Sequence, residues 1–103
     1  MSSKQKYPPK DKDVMGKIKS FIEEGKLFDT RHSTDRKSLR KVEKYEAEYV
    51  VLNGYHEKRK DEFKEEYGSW NYAIRGKTLD GKELRVAIYF DDGVHIATVI
   101  TKP

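Results

Sequence analysis

A chain of 103 residues suffices for one domain, and with 39 % charged against 35 % hydrophobic side chains its core must be small and most helix surface wet. The formal net charge of +4 favours a polyanionic partner without saying anything about fold. The absence of cysteine excludes a disulfide framework and a thiolate metal site, no apolar run approaches the roughly 18 residues of a membrane span, and the N-terminus lacks the apolar stretch of a signal peptide. A cytoplasmic protein with no membrane partner is expected.

Residues 1–12 are rich in Ser, Lys and Pro and show no periodicity, which predicts a disordered basic tail ahead of a single domain over 13–103. Asp13 is placed to cap a helix whose apolar stripe is Val14, Ile18, Phe21 and Ile22, with Gly25 as its stop. Residues 26–30 read as a short extended segment. Residues 32–41 are polar and basic, with Arg36, Lys37, Arg40 and Lys41, and read as a short exposed helix. A further helix over 45–53 is expected to bury Tyr45, Tyr49, Val50 and Leu52 and to end at Asn53-Gly54. Residues 55–60 read as a charged edge strand, and 61–68 as a loop or helical turn.

The last third alternates apolar and polar residues in three runs, 70–77, 83–90 and 94–100, separated by Leu79-Asp80-Gly81 and Asp91-Asp92-Gly93. That is the pattern of a three-strand antiparallel meander with three-residue loops, each a type I turn followed by a glycine at positive φ. The loops set the register. Thr78 pairs with Lys82, so Ile74 faces Val86, Tyr72 faces Ile88 and Trp70 faces Phe90. Phe90 pairs with Val94, so Ile88 faces Ile96, Val86 faces Thr98 and Leu84 faces Ile100. One sheet face is then apolar, and a one-residue slip would mix the two faces.

The other face carries Asn71, Tyr89 and His95 in a row, a floor of Ala73, Ala87 and Ala97, and Arg75 opposite Arg85. Like charges directly opposite destabilise a sheet, so an anion visiting the pair would account for it; a solvated basic face is the plain alternative. The expected architecture is α+β: an antiparallel sheet, made of the C-terminal meander plus an edge strand, with two or three helices packed on one face and a basic groove on the other.

This order of elements resembles the small bacterial toxins of the RelE, BrnT and MqsR superfamily, BrnT-like domains of unknown function among them. The resemblance runs from Val14 to Lys102. It is carried by the helix ending Ile22-Glu-Glu-Gly-Lys-Leu27, by Thr30-Arg-His-Ser33, by Tyr49-Val-Val-Leu-Asn-Gly54, by Tyr72-Ala-Ile-Arg-Gly76, by Leu79-Asp-Gly-Lys-Glu-Leu-Arg-Val86 and by Ile96-Ala-Thr-Val-Ile-Thr-Lys102. It implies a RelE-like fold, RNA cleavage and a cognate antitoxin protein. MqsR-like members cleave RNA with Lys, Gln, Tyr and Lys. The first Lys corresponds to Lys60, or to Lys58, and the last to Lys102. Asn71 stands at the Gln position, and the Tyr position falls near Leu84 or Arg85, with Tyr89 further along the same strand.

Apart from the resemblance, metal-free RNA cleavage needs a base, an acid and cations for the phosphate. His95 has the intrinsic pKa for proton transfer, Tyr89 can donate a proton, and Arg75 and Arg85 can grip a phosphate, with Lys60 and Lys102 at the rim. Asn71, His32 and Arg36 complete a set of RNA-contacting candidates. A lone strand histidine is more often a surface residue, and Tyr89 more often cross-strand packing. His56 on a charged edge reads as incidental. Three scattered histidines without HxH or HExxH spacing argue against a metal site, and no cofactor is implied. The leading expectation is a toxin-type endoribonuclease acting on mRNA, free or on the ribosome. The alternative is a non-catalytic RNA- or protein-binding module on the same scaffold.

Overall fold

The computed structural model describes residues 7–30 and 42–102. The stretch expected as a basic helix, 32–41, lies outside these residues, and so do His32 and Arg36.

Helix α1, Val14–Glu23, starts where Asp13 accepts a hydrogen bond from the Gly16 amide at 3.0 Å, and it buries Val14 and Ile18. Helix α2, Lys44–Asn53, opens with a capping box between Glu43 and Glu46. The six strands are β1 (Leu27–Asp29), β2 (Tyr55–His56), β3 (Glu62–Lys64), β4 (Ser69–Lys77), β5 (Glu83–Phe90) and β6 (Val94–Lys102). They form a sheet ordered β1-β6-β5-β4-β2, with β3 also pairing β4. Both described helices contribute to one core with Tyr72, Ile74, Val86, Ile88, Val94 and Ile96, which packs them on one face, and no described helix packs on the other.

Three features differ from the antiparallel meander with a single edge strand. The sheet is mixed, because β1 runs parallel to β6, with Leu27 beside Val94 and Phe28 beside His95. The expected edge strand over 55–60 shrinks to Tyr55–His56, and a 3-10 turn follows at Lys58–Lys60. The expected loop over 61–68 contributes β3, antiparallel to the start of β4, with Phe63 opposite Trp70. Each of these strands pairs over two or three residues, too few to leave a periodic signal.

The first hairpin has the expected register from Thr78–Lys82 to Tyr72–Ile88, where its ladder ends short of Trp70 and Phe90. Thr78 and Lys82 close it, the Gly81 amide donates to the Thr78 carbonyl, and Gly81 has φ +88, which a Cβ would strain. Ile74 faces Val86, and Arg75 faces Arg85. The second hairpin keeps the expected register from Phe90–Val94 to Ile88–Ile96, although Asp92 at φ +53 departs from the expected type I turn, and then shifts. A β-bulge at Ala97 inserts one residue, so Val86 faces Val99 instead of Thr98, and Leu84 faces Thr101 instead of Ile100. Val99 thereby packs against the core, and Ile100 comes out on the open face at 45 % exposure.

Helix α2 buries Val50 as expected and half-buries Tyr49, but the rest of its stripe differs. Glu46, Ala47, Val50 and Val51 are buried, whereas Tyr45 and Leu52 are exposed. Small residues decide this. A Cβ at Gly54 would collide with the carbonyl oxygen of Arg75, and one at Gly76 would come within 3.0 Å of the Gly54 Cα, so the end of α2 crosses β4 at close range. Ala47 and Val50 fit that approach and tyrosines do not. Glu46, carried inward, meets Lys82 at 2.7 Å.

Of the expected tail, Tyr7–Lys12 lie among the described residues, and they are fastened to the sheet. The Trp70 indole donates to the Pro8 carbonyl at 2.9 Å, the Asp11 amide donates to the Tyr72 hydroxyl at 2.9 Å, and Tyr7 stacks on Phe63. Lys10 pairs with Asp61 at 2.9 Å. Asp61, its side chain fully buried, also accepts from the Ala73 amide and from His56 Nε2. His56 is therefore an interior member of a network and no incidental edge residue.

Candidate functional site on the open sheet face

Strand pairing arranges the open face in rows. The first holds Asn71, Tyr89, His95 and Phe28, because Tyr89 pairs with His95 and His95 with Phe28, and Asn71 lies one step beyond the Tyr72–Ile88 pair. Neighbouring strands lie about 4.8 Å apart, and the ring centroids match that spacing. Phe28 and His95 are 5.0 Å apart, and His95 and Tyr89 4.9 Å apart, the latter within 11° of parallel. Tyr67, from the turn between β3 and β4, extends the row beside Tyr89 at 5.8 Å. The rings follow one another across the sheet, stacked from Tyr67 to His95 and tilted by 32° between His95 and Phe28, and the outer two, Phe28 and Tyr67, are 41 % and 64 % exposed.

The second row is the alanine floor, Ala73 beside Ala87, flanked by Glu57, whose amide donates to the Ala73 carbonyl. Small side chains there let the Glu57 side chain cross β4 and reach β5. Its carboxylate accepts from Arg85 Nε at 2.9 Å and from Arg75 Nη1 at 3.3 Å, and Arg75 Nε also donates to Glu83 at 2.8 Å. Glu57 is 6 % exposed, and its bond from Arg85 holds its carboxyl below the usual glutamate value. The third row, Arg75 beside Arg85, is thus neutralised from within the fold. The like-charge pair needs no visiting anion, which corrects the expectation of a phosphate grip built on bare arginines.

Among the expected catalytic residues the structure brings together Tyr89 and His95 alone. Lys102 pairs with Glu83 at the far end of β5. Tyr89 is six positions from Glu83, about 20 Å along a strand. Lys60 lies exposed on the 3-10 turn outside β4. His95 Nε2 lies 3.0 Å from the Asp91 carbonyl, so that nitrogen carries the proton and donates it. Its Nδ1 is buried without a partner, held between the rings of Phe28 and Tyr89. A base needs an accessible lone pair, and this one is enclosed. Asn71, expected as an RNA contact, is 7 % exposed, and its Oδ1 also lacks a partner.

Sequence reasoning missed Glu57, Phe28 and Tyr67. Phe28 joins the row through a parallel pairing 67 positions away in the chain, and Glu57 through the crossing over Ala73. An alanine floor beside two facing arginines was the available signal for an internal carboxylate. Among the described residues no cluster of three His, Asp or Glu could hold a metal ion, and no helix is long and apolar enough to cross a membrane.

Comparison with family models, with curated proteins and with solved structures finds no match. The RelE-like resemblance rests on the sequence features alone.

Proposed function

We propose that the protein is a non-catalytic module that holds single-stranded RNA on its open sheet face. The observation that carries this reading is the row Phe28–His95–Tyr89–Tyr67, a line of aromatic rings on a face that no described helix covers. Aromatic rings on a sheet stack nucleobases with little regard for sequence, and a flanking basic segment holds the phosphates. Residues 31–41, which follow directly from the strand carrying Phe28, contain five Lys or Arg against one Asp. They are the basic segment nearest the row in sequence, whereas Arg75 and Arg85 are engaged by Glu57 and Glu83.

Fluorescence anisotropy with labelled single-stranded RNA tests the reading. Phe28→Ala and Tyr67→Ala, at exposed positions, should each weaken binding about tenfold. No binding by the wild type, or binding unchanged in both variants, would overturn it.

A second reading, a toxin-type endoribonuclease neutralised by an antitoxin, is favoured by one observation: a phenol and an imidazole stand ring to ring on the same face. It requires cleavage products from the wild type, on free RNA or on ribosomes, that disappear in Tyr89→Phe. Binding without cleavage leaves the module.

A further inference from the structure

Among the described residues two buried side-chain atoms have no hydrogen-bond partner, Asn71 Oδ1 and His95 Nδ1. Such atoms are few in folded proteins, because an unmet buried acceptor is costly, and each calls for an explanation. Both belong to the aromatic row, one on either side of Tyr89. Their surroundings differ. His95 lies between Phe28 and Tyr89, both borne on strands that pair directly with its own, so the backbones that carry these rings are held one strand spacing apart. On the other side of Tyr89, where Asn71 stands, the neighbouring ring is Tyr67, borne on a turn and 64 % exposed.

We propose that Tyr67, Tyr89 and Asn71 form a slot for one nucleobase that carries an exocyclic amine. The proposal rests on the RNA-binding reading of this face and adds which bases it selects. Two stacking contacts of about 3.5 Å each require rings about 7 Å apart. The centroids of Tyr67 and Tyr89 are 5.8 Å apart and the planes 26° from parallel, so opening the slot takes an outward shift of Tyr67 by at least about an ångström. Tyr67 can make that shift by side-chain rotation, since its turn is closed by backbone bonds from Tyr67 and Gly68 to the Lys64 carbonyl and needs no strand to move.

Asn71 supplies the hydrogen-bonding edge. Its unpartnered carbonyl oxygen is itself buried, so a donor that projects beyond the ring of the base reaches it best. An exocyclic amine projects in that way. The other half of the same amide donates to a ring nitrogen beside the amine, the two-point pairing that asparagine makes with adenine. Cytosine offers the same arrangement of amine beside ring acceptor. Uracil has carbonyl oxygens at those corners and its one N–H recessed between them, so it leaves Asn71 Oδ1 unmet.

The test compares four oligoribonucleotides of about eight nucleotides by anisotropy with the full chain: oligo(A), oligo(C), oligo(U), and an oligomer of purine riboside, which is adenosine without its amine. Oligo(A) and oligo(C) should bind about tenfold tighter than oligo(U), and oligo(A) about tenfold tighter than the purine riboside oligomer, whose stacking surface is the same. Asn71→Leu should abolish the difference between the last two while keeping the weaker affinity. Tyr67→Ala should weaken oligo(A) about tenfold with an unchanged melting temperature; its exposed position keeps the test available if Asn71→Leu does not fold. Equal affinity of the wild type for oligo(A) and the purine riboside oligomer, or wild-type affinity for oligo(A) in Tyr67→Ala, overturns the slot and leaves the RNA-binding reading standing. Failure of all four oligomers to bind overturns both.

Discussion

Arg85 Nε donates to Glu57 Oε1 at 2.9 Å, across the width of β4, and this bond decides what the open face is. Without it, Arg75 and Arg85 would be two bare cations in register on adjacent strands. With it, and with Glu83 on Arg75, the pair is an internal ion network whose central carboxylate is buried. The side chains of Arg75 and Arg85 remain 20 % and 16 % exposed.

Removing either partner should therefore destabilise the fold. Glu57→Ala leaves two facing arginines, and Arg85→Ala leaves a buried carboxylate short of its best donor. Each should cost about 3 kcal/mol in urea unfolding, the lower end for breaking a buried pair because the arginine heads are partly wet. The double variant should cost less than the sum of the singles. An Arg85→Ala protein as stable as the wild type would show that the network contributes nothing.

Acid should weaken the fold through two glutamates. Hydrogen bonds from Arg85 to Glu57 and from Lys82 to Glu46 hold both carboxyls below the ordinary glutamate value. A group that binds its proton less tightly when folded stabilises the native state above its unfolded pKa, and that contribution is lost as pH falls through the folded value. The melting temperature should be flat above pH about 5 and should drop as pH falls below about 4.3, the ordinary glutamate pKa. Glu46→Gln should start from a lower melting temperature and show a shallower drop. A drop of equal steepness in Glu46→Gln would remove that residue from the acid response.

The bulge at Ala97 makes a prediction at two adjacent residues. Val99 packs against the core and Ile100 is exposed. Val99→Ala should cost about 1 kcal/mol, as expected for a partly buried valine. Ile100→Ala should stay within about 0.5 kcal/mol of the wild type. Ile88→Ala, fully buried upstream of the shift, should cost about 2–5 kcal/mol. Reversal of the first two costs would mean an unbulged β6.

Trp70 is the single tryptophan and reports on the N-terminal segment directly. Its indole donates to Pro8, and Lys10 Nζ lies 5.0 Å from its ring. Deleting residues 1–11 should shift its emission to the red and lower stability, because Asp61 loses Lys10 and Tyr72 loses the Asp11 amide. Lys10→Ala alone should produce a smaller shift in the same direction. Emission unchanged on deletion would mean that the segment does not lie on the sheet in solution.

Local chemistry in the sequence determined the parts of this protein whose contacts are close in the chain. Asp13 capping α1, Asn53-Gly54 ending α2 and the two three-residue loops are each settled within about four residues. The loops then carry the register outward from Thr78–Lys82 and Phe90–Val94, and with it the core positions of Ile74, Val86, Ile88 and Ile96. The adjacency of Tyr89 and His95 was legible for the same reason. What tertiary structure alone decided is everything set by segments meeting across the sheet. The parallel docking of β1 brought Phe28 to His95, and the close crossing at Gly54 and Gly76 turned Tyr45 outward and Glu46 inward. The pairing of β2 beside β4 swung Glu57 over Ala73 onto two arginines. These contacts join residues 18 to 67 positions apart through segments of two or three paired residues, where periodicity has no room to show and the gain comes from filling a space that other elements define.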